Sequence, residues 1–517
     1  MSDALEGMAV PPADGLAAPP DAAASDERLR VPGVVLGVAS ALILGAHMLL
    51  GAEPMPLLAR FIAGLMGVFT MFVLLRVSRR TIPFIAYGVV QIYVFFGLAT
   101  FWSTEFMTLA GPVFLRDEAI IAAVASAFAS MIALVGMGQV GARVGARVRQ
   151  RIPDVLAVDA LRAGSSEIVG GAALAVLTLL LGLQFSVQAG IPAALSQVVF
   201  ALARPPLAQA LIFAIYRAKR SRLAYGMFIG YTAAALFLGL LSGMLADLMT
   251  PLLTAVVLLW LDGRKLRLRW VVAIVLVFFV LNPVKHAFRK EKLERTMVGE
   301  TVKISEVASL WADAVRETWV ADSRDDNVAE ENLETSTSRL SALLSVANVI
   351  QSVPDEVPHS GGARWSLILG SYIPRALAPD RPDLTLATSG DYALTFLLQT
   401  ESQLEHTTIA LPLVSDGFWA FGWWGVLFAI LAVGFLFGLH EGLFLPNSWV
   451  ALVMGVSTWP YLTSYDHLVH QFTGIPQRLF VSWFVCACVA FALRAFDRKR
   501  STPRSPTQQR PALRVVN

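Results

Sequence analysis

The stretch that decides the fold is "IIAAVASAFASMIALVGM" (120–137), with the basic segment "ARVGARVRQR" (142–151) shortly after it. The apolar run carries no charged residue and is long enough for a helix to cross the roughly 30 Å hydrocarbon core of a bilayer. Because Lys and Arg concentrate on the cytoplasmic side of membrane proteins, the basic segment marks the cytoplasmic end of this helix. The stretch therefore predicts a membrane-spanning helix and also its direction.

Apolar runs of similar length recur along the chain of 517 residues, of which 56% are hydrophobic and 15% are charged. They predict an all-α polytopic membrane protein with about twelve transmembrane helices. The predicted spans are 31–50, 57–75, 82–101, 120–137, 168–185, 193–216, 223–241, 244–261, 266–284, 418–437, 449–461 and 479–493.

The connections between these spans alternate in charge. Basic connections at 76–80, 142–151, 217–222 and 262–269 alternate with connections at 51–56, 186–190 and 243–247 that contain no Lys or Arg. The alternation predicts that both termini are cytoplasmic and that the long interruption after span nine is external. The predicted organisation is a disordered cytoplasmic tail (1–30), spans one to nine (31–284), a large, partly helical external loop (285–410), spans ten to twelve (411–495) and a second cytoplasmic tail (496–517).

The composition of the loop and the two cysteines exclude some functions. In the loop, Asp and Glu outnumber Lys and Arg, so a nucleic-acid partner is not expected. Cys486 and Cys488 are the only cysteines, and a spacing of two on a helix turns them to nearly opposite faces. They predict neither a disulfide nor a metal site, and we interpret them as packing residues.

The external loop contains its own predicted structure. Residues 302–320 place apolar side chains at helical spacing and predict an amphipathic helix that lies on the membrane or caps the bundle. Residues 338–350 predict a second helix, whose apolar face is bordered by Arg339. The segment "SYIPRALAPDRPDL" (371–384), with three prolines, predicts an ordered coil.

Cations in and near the loop are candidate anion ligands, because the arginine fork binds diphosphate or carboxylate bidentately. The set is Lys285, Arg289, Arg339, Arg364, Arg375 and Arg381. Pairing with the many acids of the loop is the alternative for each of them. Arg204 is a further candidate, because it falls inside predicted span six, where a cation is costly and usually functional. A structural pairing with Asp247 or Glu105 is its alternative role.

Acids and histidines cluster near the predicted external ends of the last spans. Asp416 precedes an aromatic and glycine-rich segment at the mouth of span ten, and Asp466, His467 and His470 lie in the last external connection. The histidines are compatible with an interfacial or a catalytic role. The sequence contains no HExxH motif, no glycine-rich phosphate loop and no spaced set of metal ligands. It therefore predicts neither a metal site nor a cofactor.

Two motifs in this region resemble those of the Wzy-type polymerases of O-antigen and exopolysaccharide repeat units. Pro374, Arg375, Pro379, Arg381 and Pro382 match a proline- and cation-rich stretch of that family, in "IPRALAPDRPD" (373–383). Asp416, Phe418, Phe421 and Gly422 match a downstream acidic and aromatic element, although Glu is commoner than Asp there. "NPVKHAFRK" (282–290) resembles the basic entry to the family's loop. The resemblance covers roughly residues 280–430.

The resemblance implies a metal-independent glycosyltransferase of the bacterial inner membrane, acting on undecaprenyl-diphosphate-linked oligosaccharides. It implies that arginines neutralise the diphosphate leaving group and that a carboxylate or histidine acts as the general base. The candidates for the diphosphate are Arg339, Arg375, Arg289 and Arg204, and those for catalysis are Asp416 and His359. The bilayer, a chain-length regulator and a flippase are the implied partners.

Three other functions remain open from the sequence. O-antigen ligases share the layout and are expected to carry a motif of His, a small polar residue and a Leu four positions after the His; His359 and Ser360 fit it, but Ala363 occupies the Leu position. A secondary transporter would suit twelve spans, but its long connection is usually cytoplasmic and central. The third alternative is a polysaccharide-pathway membrane protein without catalysis.

Overall fold

The computed structural model describes most of the apolar parts of the chain. The described residues are 33–50, 55–78, 81–101, 106–151, 170–180 and 277–295 with short gaps, 204–242, 245–264, 304–321, 342–373, 382–404, 409–446, 448–462 and 466–500. The start of the predicted helix 338–350 with Arg339, and most of the segment 371–384 with Arg375 and Arg381, lie outside these residues.

The described part of the chain is almost entirely helical. Its α-helices are α1 (Gly33–Leu50), α2 (Leu57–Leu75), α3 (Phe84–Ile92), α4 (Asp117–Arg151), α5 (Pro205–Lys219), α6 (Arg222–Ser242), α7 (Leu245–Leu261), α8 (Ile304–Arg316), α9 (Leu343–Ser352), α10 (Ala363–Ser371), α11 (Asp391–Thr395), α12 (Glu401–Leu404), α13 (Leu413–Leu443), α14 (Trp449–Thr458) and α15 (Leu468–Arg500). Single π-helical turns occupy Tyr93–Gly97, Glu317–Ala321 and Leu386–Gly390, and 3-10 turns occupy Leu98–Phe101 and Trp459–Tyr461. A two-stranded antiparallel hairpin joins β1 (Phe106–Thr108) to β2 (Gly111–Val113).

Six described helical segments are long and apolar enough to cross a membrane. They are Leu57–Leu75, Phe84–Phe101, Asp117–Arg151, Arg222–Ser242, Leu413–Leu443 and Leu468–Val489, and they correspond to predicted spans two, three, four, seven, ten and twelve. Predicted spans one, eight and eleven correspond to the shorter apolar helices Val34–Leu50, Ala246–Leu261 and Trp449–Thr458. Much of predicted spans five, six and nine falls outside the described residues. The total of twelve therefore stays a prediction.

The helix pair α4 and α13 forms the centre of the packed bundle. Glycines at Gly434, Gly438 and Gly442 repeat every fourth residue, so they lie on one face of α13. A Cβ atom built on Gly438 would lie 1.8 Å from the carbonyl oxygen of Gly138 on α4. Only glycine fits at such a distance, and the two backbones are therefore in direct contact.

Helix α4 differs from the prediction at its basic end. The segment 142–151 was predicted as a connection, but it continues the helix to Arg151. Ala and Arg are good helix formers, so the helix continues after the apolar run ends. Arg149 uses this extension to donate from Nη1 to the carbonyl of Gly442, 3.2 Å away.

Helix α8 packs as a cap on a second, smaller core. Its Val307, Leu310 and Ala314 are buried together with Leu241 at the end of α6 and with Phe288. The ring of Trp311 stacks on Phe288 at 4.7 Å, and its Nε1 donates to the carbonyl of Leu240 at 3.0 Å. The predicted amphipathic helix is confirmed, and the face that it buries covers the end of α6.

Helix α13 is interrupted near its start. Phe421 and Gly422 leave helical geometry, and Gly422 has a φ of +61°, which glycine adopts without the steric cost of a side chain. The first two turns, Leu413–Ala420, therefore form a separate segment whose side chains face the loop helices. This segment carries Asp416.

Candidate functional site

Asp416 lies in the first turn of α13 and is completely buried. Its Oδ1 accepts from Nη2 of Arg364 at 3.2 Å, and its Oδ2 accepts from Nε1 of Trp365 at 2.9 Å and from the backbone N–H of Leu468 at 3.2 Å. Both oxygens are thus occupied by donors from α10 and from the start of α15. Asp416 is built to join these segments, so the prediction that it takes a proton from substrate is not favoured by its geometry.

Arg364 is the cation that completes this centre. Its side chain is only 5% exposed, and its guanidinium carbon lies 3.5 Å from the ring centroid of Trp419. Its Nη1 reaches Oδ2 of Asp391 at 3.4 Å, and Asp391 is half exposed. A planar guanidinium can stack on an indole face and contact two carboxylates through two nitrogens at once, which a lysine ammonium does less well. Arg364 therefore links the buried Asp416 to a carboxylate at the surface.

A second group, Asp466, His467 and His470, adjoins Asp416 through the chain at Leu468. Asp466 forms a β-bridge with Pro412, the residue that precedes α13, and accepts the backbone N–H of His467 at 2.8 Å. Its other oxygen lies 3.4 Å from Nδ1 of His470. The His470 side chain is 46% exposed, so its Nε2 is accessible to a ligand. A carboxylate behind a partly exposed imidazole is the arrangement that orients a histidine for proton transfer.

His467 is buried, and its burial disfavours the charged form of the ring. Its burial lowers the pKa of the imidazole from the ordinary value of 6.5, and this outweighs the opposing charges of Asp466 and Asp416. The backbone N–H of His470 donates to Nδ1 of His467 at 3.2 Å, which places the ring proton on Nε2. That nitrogen faces Oγ1 of Thr388 at 3.4 Å and Oδ1 of Asp466 at 3.7 Å. His467 therefore joins the π-helical turn Leu386–Gly390 to this group.

By distance alone, Asp466, His467 and His470 could hold a metal ion, since one ligand atom from each lies within 4.8 Å of the others. A neutral histidine that binds a metal through Nε2 must carry its proton on Nδ1. In His467, Nδ1 accepts a hydrogen bond instead. The side chains as arranged fit a hydrogen-bonded relay better than a metal centre.

The whole constellation is acidic and aromatic. Arg364 contacts Asp391 and Asp416, a third carboxylate, Asp466, lies beside His470, and Trp365 and Trp419 add two indole rings. The buried Tyr392 packs behind Trp419 with its ring tilted at 6.3 Å, and it hydrogen-bonds to Ser345. Asp416, Trp419 and Tyr392 are buried, so the accessible groups are Asp391, Asp466, Trp365 and His470. Accessible carboxylates repel a diphosphate, whereas carboxylates beside an aromatic ring suit the hydroxyls and ring face of a sugar.

The predicted catalytic residue His359 lies beside this centre and is exposed. Its Nδ1 is 3.3 Å from the carbonyl oxygen of Trp419, and its ring is 6.3 Å from that of Phe418. A Cβ atom on Gly422 would approach the same ring at 3.6 Å. His359 therefore lies at the break in α13, on the backbone side of Trp419.

The predicted anion ligands fall into different environments. Arg204 precedes α5 rather than lying inside a helical span, because Pro205 and Pro206 start that helix. Its Nη1 pairs with Asp247 at 2.8 Å, which is the structural role that the sequence left as the alternative. Arg339 and Arg375 belong to the part of the chain that the structure does not describe.

Arg289 is the predicted anion ligand with the clearest basic surroundings. It is half-buried, and its charge, together with burial, lowers the pKa of the neighbouring Lys292. Nζ of Lys292 lies 3.4 Å from the carbonyl oxygen of Leu241, at the end of α6. Among the described residues, no carboxylate pairs with Arg289. Two neighbouring cations whose charges disfavour each other are stabilised by a bound anion.

Sequence reasoning missed Arg364 and Trp365 as partners of Asp416, and Asp391 as the second carboxylate on Arg364. Arg364 was in the candidate set, but its role could not be assigned. The pairs are 52 and 51 residues apart along the chain. The available signal was the loop sequence "GARW" (362–365), a cation and an aromatic residue directly after a glycine turn.

Comparison with known proteins adds one family. Residues 167–440 match a family described as Domain of unknown function (DUF8712), which spans slightly more than half of the chain. The matched region contains Arg364 and Asp416 and ends before Asp466, His467 and His470. No curated protein and no solved structure matches the chain.

Proposed function

The chain belongs to the DUF8712 family, whose description names no activity, and we propose a function from the site itself. The protein is an inner-membrane polymerase of undecaprenyl-diphosphate-linked oligosaccharide repeat units in O-antigen or exopolysaccharide biosynthesis. It transfers the growing glycan from its lipid diphosphate to a hydroxyl of the next lipid-linked unit.

One observation carries this proposal, namely the network at Asp416. The acidic-aromatic element at 416–422 is one of the motifs that resemble the polymerases, and its Asp416 is joined to the external loop through Arg364 and Trp365. The aromatic–glycine pair of that element, Phe421–Gly422, is the break in α13. The acidic position of the motif thus holds the external loop at the mouth of the span, and its aromatic–glycine pair forms the break in the helix.

The proposed topology has twelve spans, cytoplasmic termini and an external 285–410 loop. It is supported by the alternation of basic and uncharged connections and by the six helices of spanning length. A reporter that is active only outside the cytoplasm, fused near Asp325, is expected to be active. If a reporter that works only in the cytoplasm is active at the same position, the proposed orientation is wrong.

In the proposed reaction, the acceptor sugar binds at the acidic and aromatic side of the site. Nε2 of His470 removes the proton of the acceptor hydroxyl, and Asp466 stabilises the imidazolium through Nδ1. The hydroxyl oxygen forms a bond to the anomeric carbon of the donor while the bond from that carbon to the diphosphate oxygen breaks. The lipid diphosphate leaves as the anion.

Cations away from the carboxylates receive that anion in our proposal. Arg289 with Lys292 is the described candidate, and Arg339 and Arg375 remain predicted ligands. Arg204 is withdrawn from this role, because Asp247 already neutralises it. Arginines stabilise a developing phosphate charge without Mg²⁺, so we expect a metal-independent reaction.

The proposal is tested with purified protein in liposomes that contain the lipid-linked repeat unit, with the polymer ladder as the readout. We expect elongation in excess EDTA and a loss of about 100-fold or more in rate for His470→Ala, the size typical of a general base. Glu356→Gln, an exposed acid of the same loop, serves as the matched control.

Three results would contradict parts of this account. Activity that Mg²⁺ or Mn²⁺ restores after EDTA would replace the metal-independent mechanism. Normal elongation by His470→Ala would remove His470 as the base. A loss with His359→Ala but not with His470→Ala would transfer the role to His359 and favour the ligase alternative.

A further inference from the structure

A group of arginines and tyrosines gathers where α5 ends, α6 begins and α7 ends. Arg220 pairs with both oxygens of Asp262, at 2.8 and 2.9 Å. Arg264 donates from Nη1 to the hydroxyl of Tyr225 at 2.8 Å and from Nη2 to that of Tyr216 at 3.3 Å. The group therefore connects three helix ends through side chains on the surface.

The charges of this group are not balanced. Arg217, Arg220, Arg222 and Arg264 are four cations, and within the described residues Asp262 is the only carboxylate that contacts any of them. Asp262 is 4% exposed and is used by Arg220. Arg222 and Arg264 are exposed, and the partners of Arg264 are neutral phenols. A net positive charge of about three remains at one place.

The aromatic rings give this charge a defined shape. The guanidinium of Arg264 lies 4.5 Å from the ring centroid of Tyr225, so its direction is fixed by stacking as well as by its hydrogen bonds. Tyr216 and Tyr225 are themselves in contact at 5.2 Å. Tyrosines and arginines at the end of an apolar helix are typical of the level where lipid headgroups lie.

We propose that this group binds the headgroup of an anionic glycerophospholipid, with Arg222 and Arg264 on the phosphate and Tyr225 at the glycerol level. The site begins α6, one of the helices of spanning length, so a bound headgroup continues into acyl chains along that helix. This continuity favours a lipid over a free phosphate, which would gain only the two cations. The site is independent of the Asp416 centre and of the proposed reaction.

The test is lipid binding to purified protein in a neutral detergent, counted by native mass spectrometry. The probes are phosphatidylglycerol, phosphatidylcholine and inorganic phosphate. We expect the wild type to retain phosphatidylglycerol in preference to phosphatidylcholine. Each arginine near a membrane surface strengthens the binding of an anionic headgroup. The double variant Arg222→Gln with Arg264→Gln should therefore bind phosphatidylglycerol about fivefold more weakly for each arginine removed.

The matched control is Arg143→Gln with Arg147→Gln, two exposed arginines of α4 in another basic segment. It should bind phosphatidylglycerol as tightly as the wild type. Tyr225→Phe removes only the hydroxyl that holds Arg264, so it should show a smaller loss in the same direction and avoids any folding defect of the double variant.

Equal retention of phosphatidylglycerol by the double variant, or an equal loss in the control, would overturn the proposal. So would displacement of the lipid by millimolar inorganic phosphate, since the site would then recognise a free anion. An unchanged affinity in Tyr225→Phe would contradict the role of the tyrosine.

Discussion

At the scale of single residues, Asp416 occupies a motif position that suggests catalysis, but its contacts indicate a structural role. The acidic residue before an aromatic–glycine element marks it as a candidate base. Its surroundings instead supply three hydrogen-bond donors, one of them the guanidinium of Arg364. The accessible imidazole of His470 lies on the next segment, where the sequence alone left its role undecided.

Replacing Asp416 should lower the free energy of unfolding, because the buried Arg364 then loses its charged partner. Asp416→Asn leaves the 5% exposed guanidinium of Arg364 with only a half-exposed partner, and breaking such a pair costs about 3–5 kcal/mol. We expect that loss in the free energy of unfolding, measured by reversible denaturation in mixed micelles. Asp391→Asn is the control and should cost less than about 1 kcal/mol, because that carboxylate is half exposed. Equal losses in the two variants would mean that Asp416 does not anchor Arg364.

The limit of sequence reasoning at this scale is distance along the chain. Asp416 and Arg364 were both singled out, but nothing in the sequence pairs residues that are 52 positions apart. Arg204 is the opposite case, since its pairing with Asp247 was named as an alternative and is observed. The difference is that Asp247 lies in the first turn of α7, directly after a short connection, so it can reach only a few neighbouring spans.

At the scale of elements, the glycines of α4 and α13 set the centre of the bundle. The start of α2 was predictable, because Pro56 directly precedes it, and the bounds Leu57–Leu75 are those of the predicted span. The end of α4 was not, because the charged residues that end the apolar run are good helix formers. The glycine spacing on α13 is visible in the sequence, but its partner helix is not.

A methyl group on α13 tests this packing. Gly438→Ala would place a Cβ atom 1.8 Å from the carbonyl oxygen of Gly138, so the two helices must separate. We expect a loss of at least about 1–3 kcal/mol in the free energy of unfolding. Gly136→Ala on α4 is the control, because nothing lies within 4 Å of its added Cβ. It should be neutral or stabilising by about 0.5–1 kcal/mol, since alanine favours a helix. Similar destabilisation in both variants would contradict the close approach of α4 and α13.

At the scale of the whole molecule, hydrophobicity and charge predict the fold class and the spanning helices better than they predict the site. The all-helical class and the membrane-spanning length of six helices follow from composition and from the periodic apolar runs. The site required knowledge of which loop segment folds onto which helix end. The acids and aromatics around Asp416 come from the four segments 363–365, 388–392, 416–419 and 466–470, and no local pattern joins them.

This assembly gives the proposed polymerase a division of labour. The accessible carboxylates Asp391 and Asp466 with His470 suit a sugar hydroxyl, and the separate cations at Arg289 and Lys292 suit a diphosphate. The two substrates of a transfer between lipid-linked glycans carry these two chemistries. A transporter would need neither a general base nor a leaving-group site.

The most direct test of the central claim is the glycan profile of a strain from which the gene is deleted. We predict that lipid A carries single repeat units and no longer chains, because capping continues while elongation stops. Restoration of the ladder by the wild-type gene, and not by a His470→Ala gene expressed at the same membrane level, would connect that profile to the site. Lipid A without any repeat unit would indicate a ligase, and an unchanged ladder of long chains would contradict the proposed function.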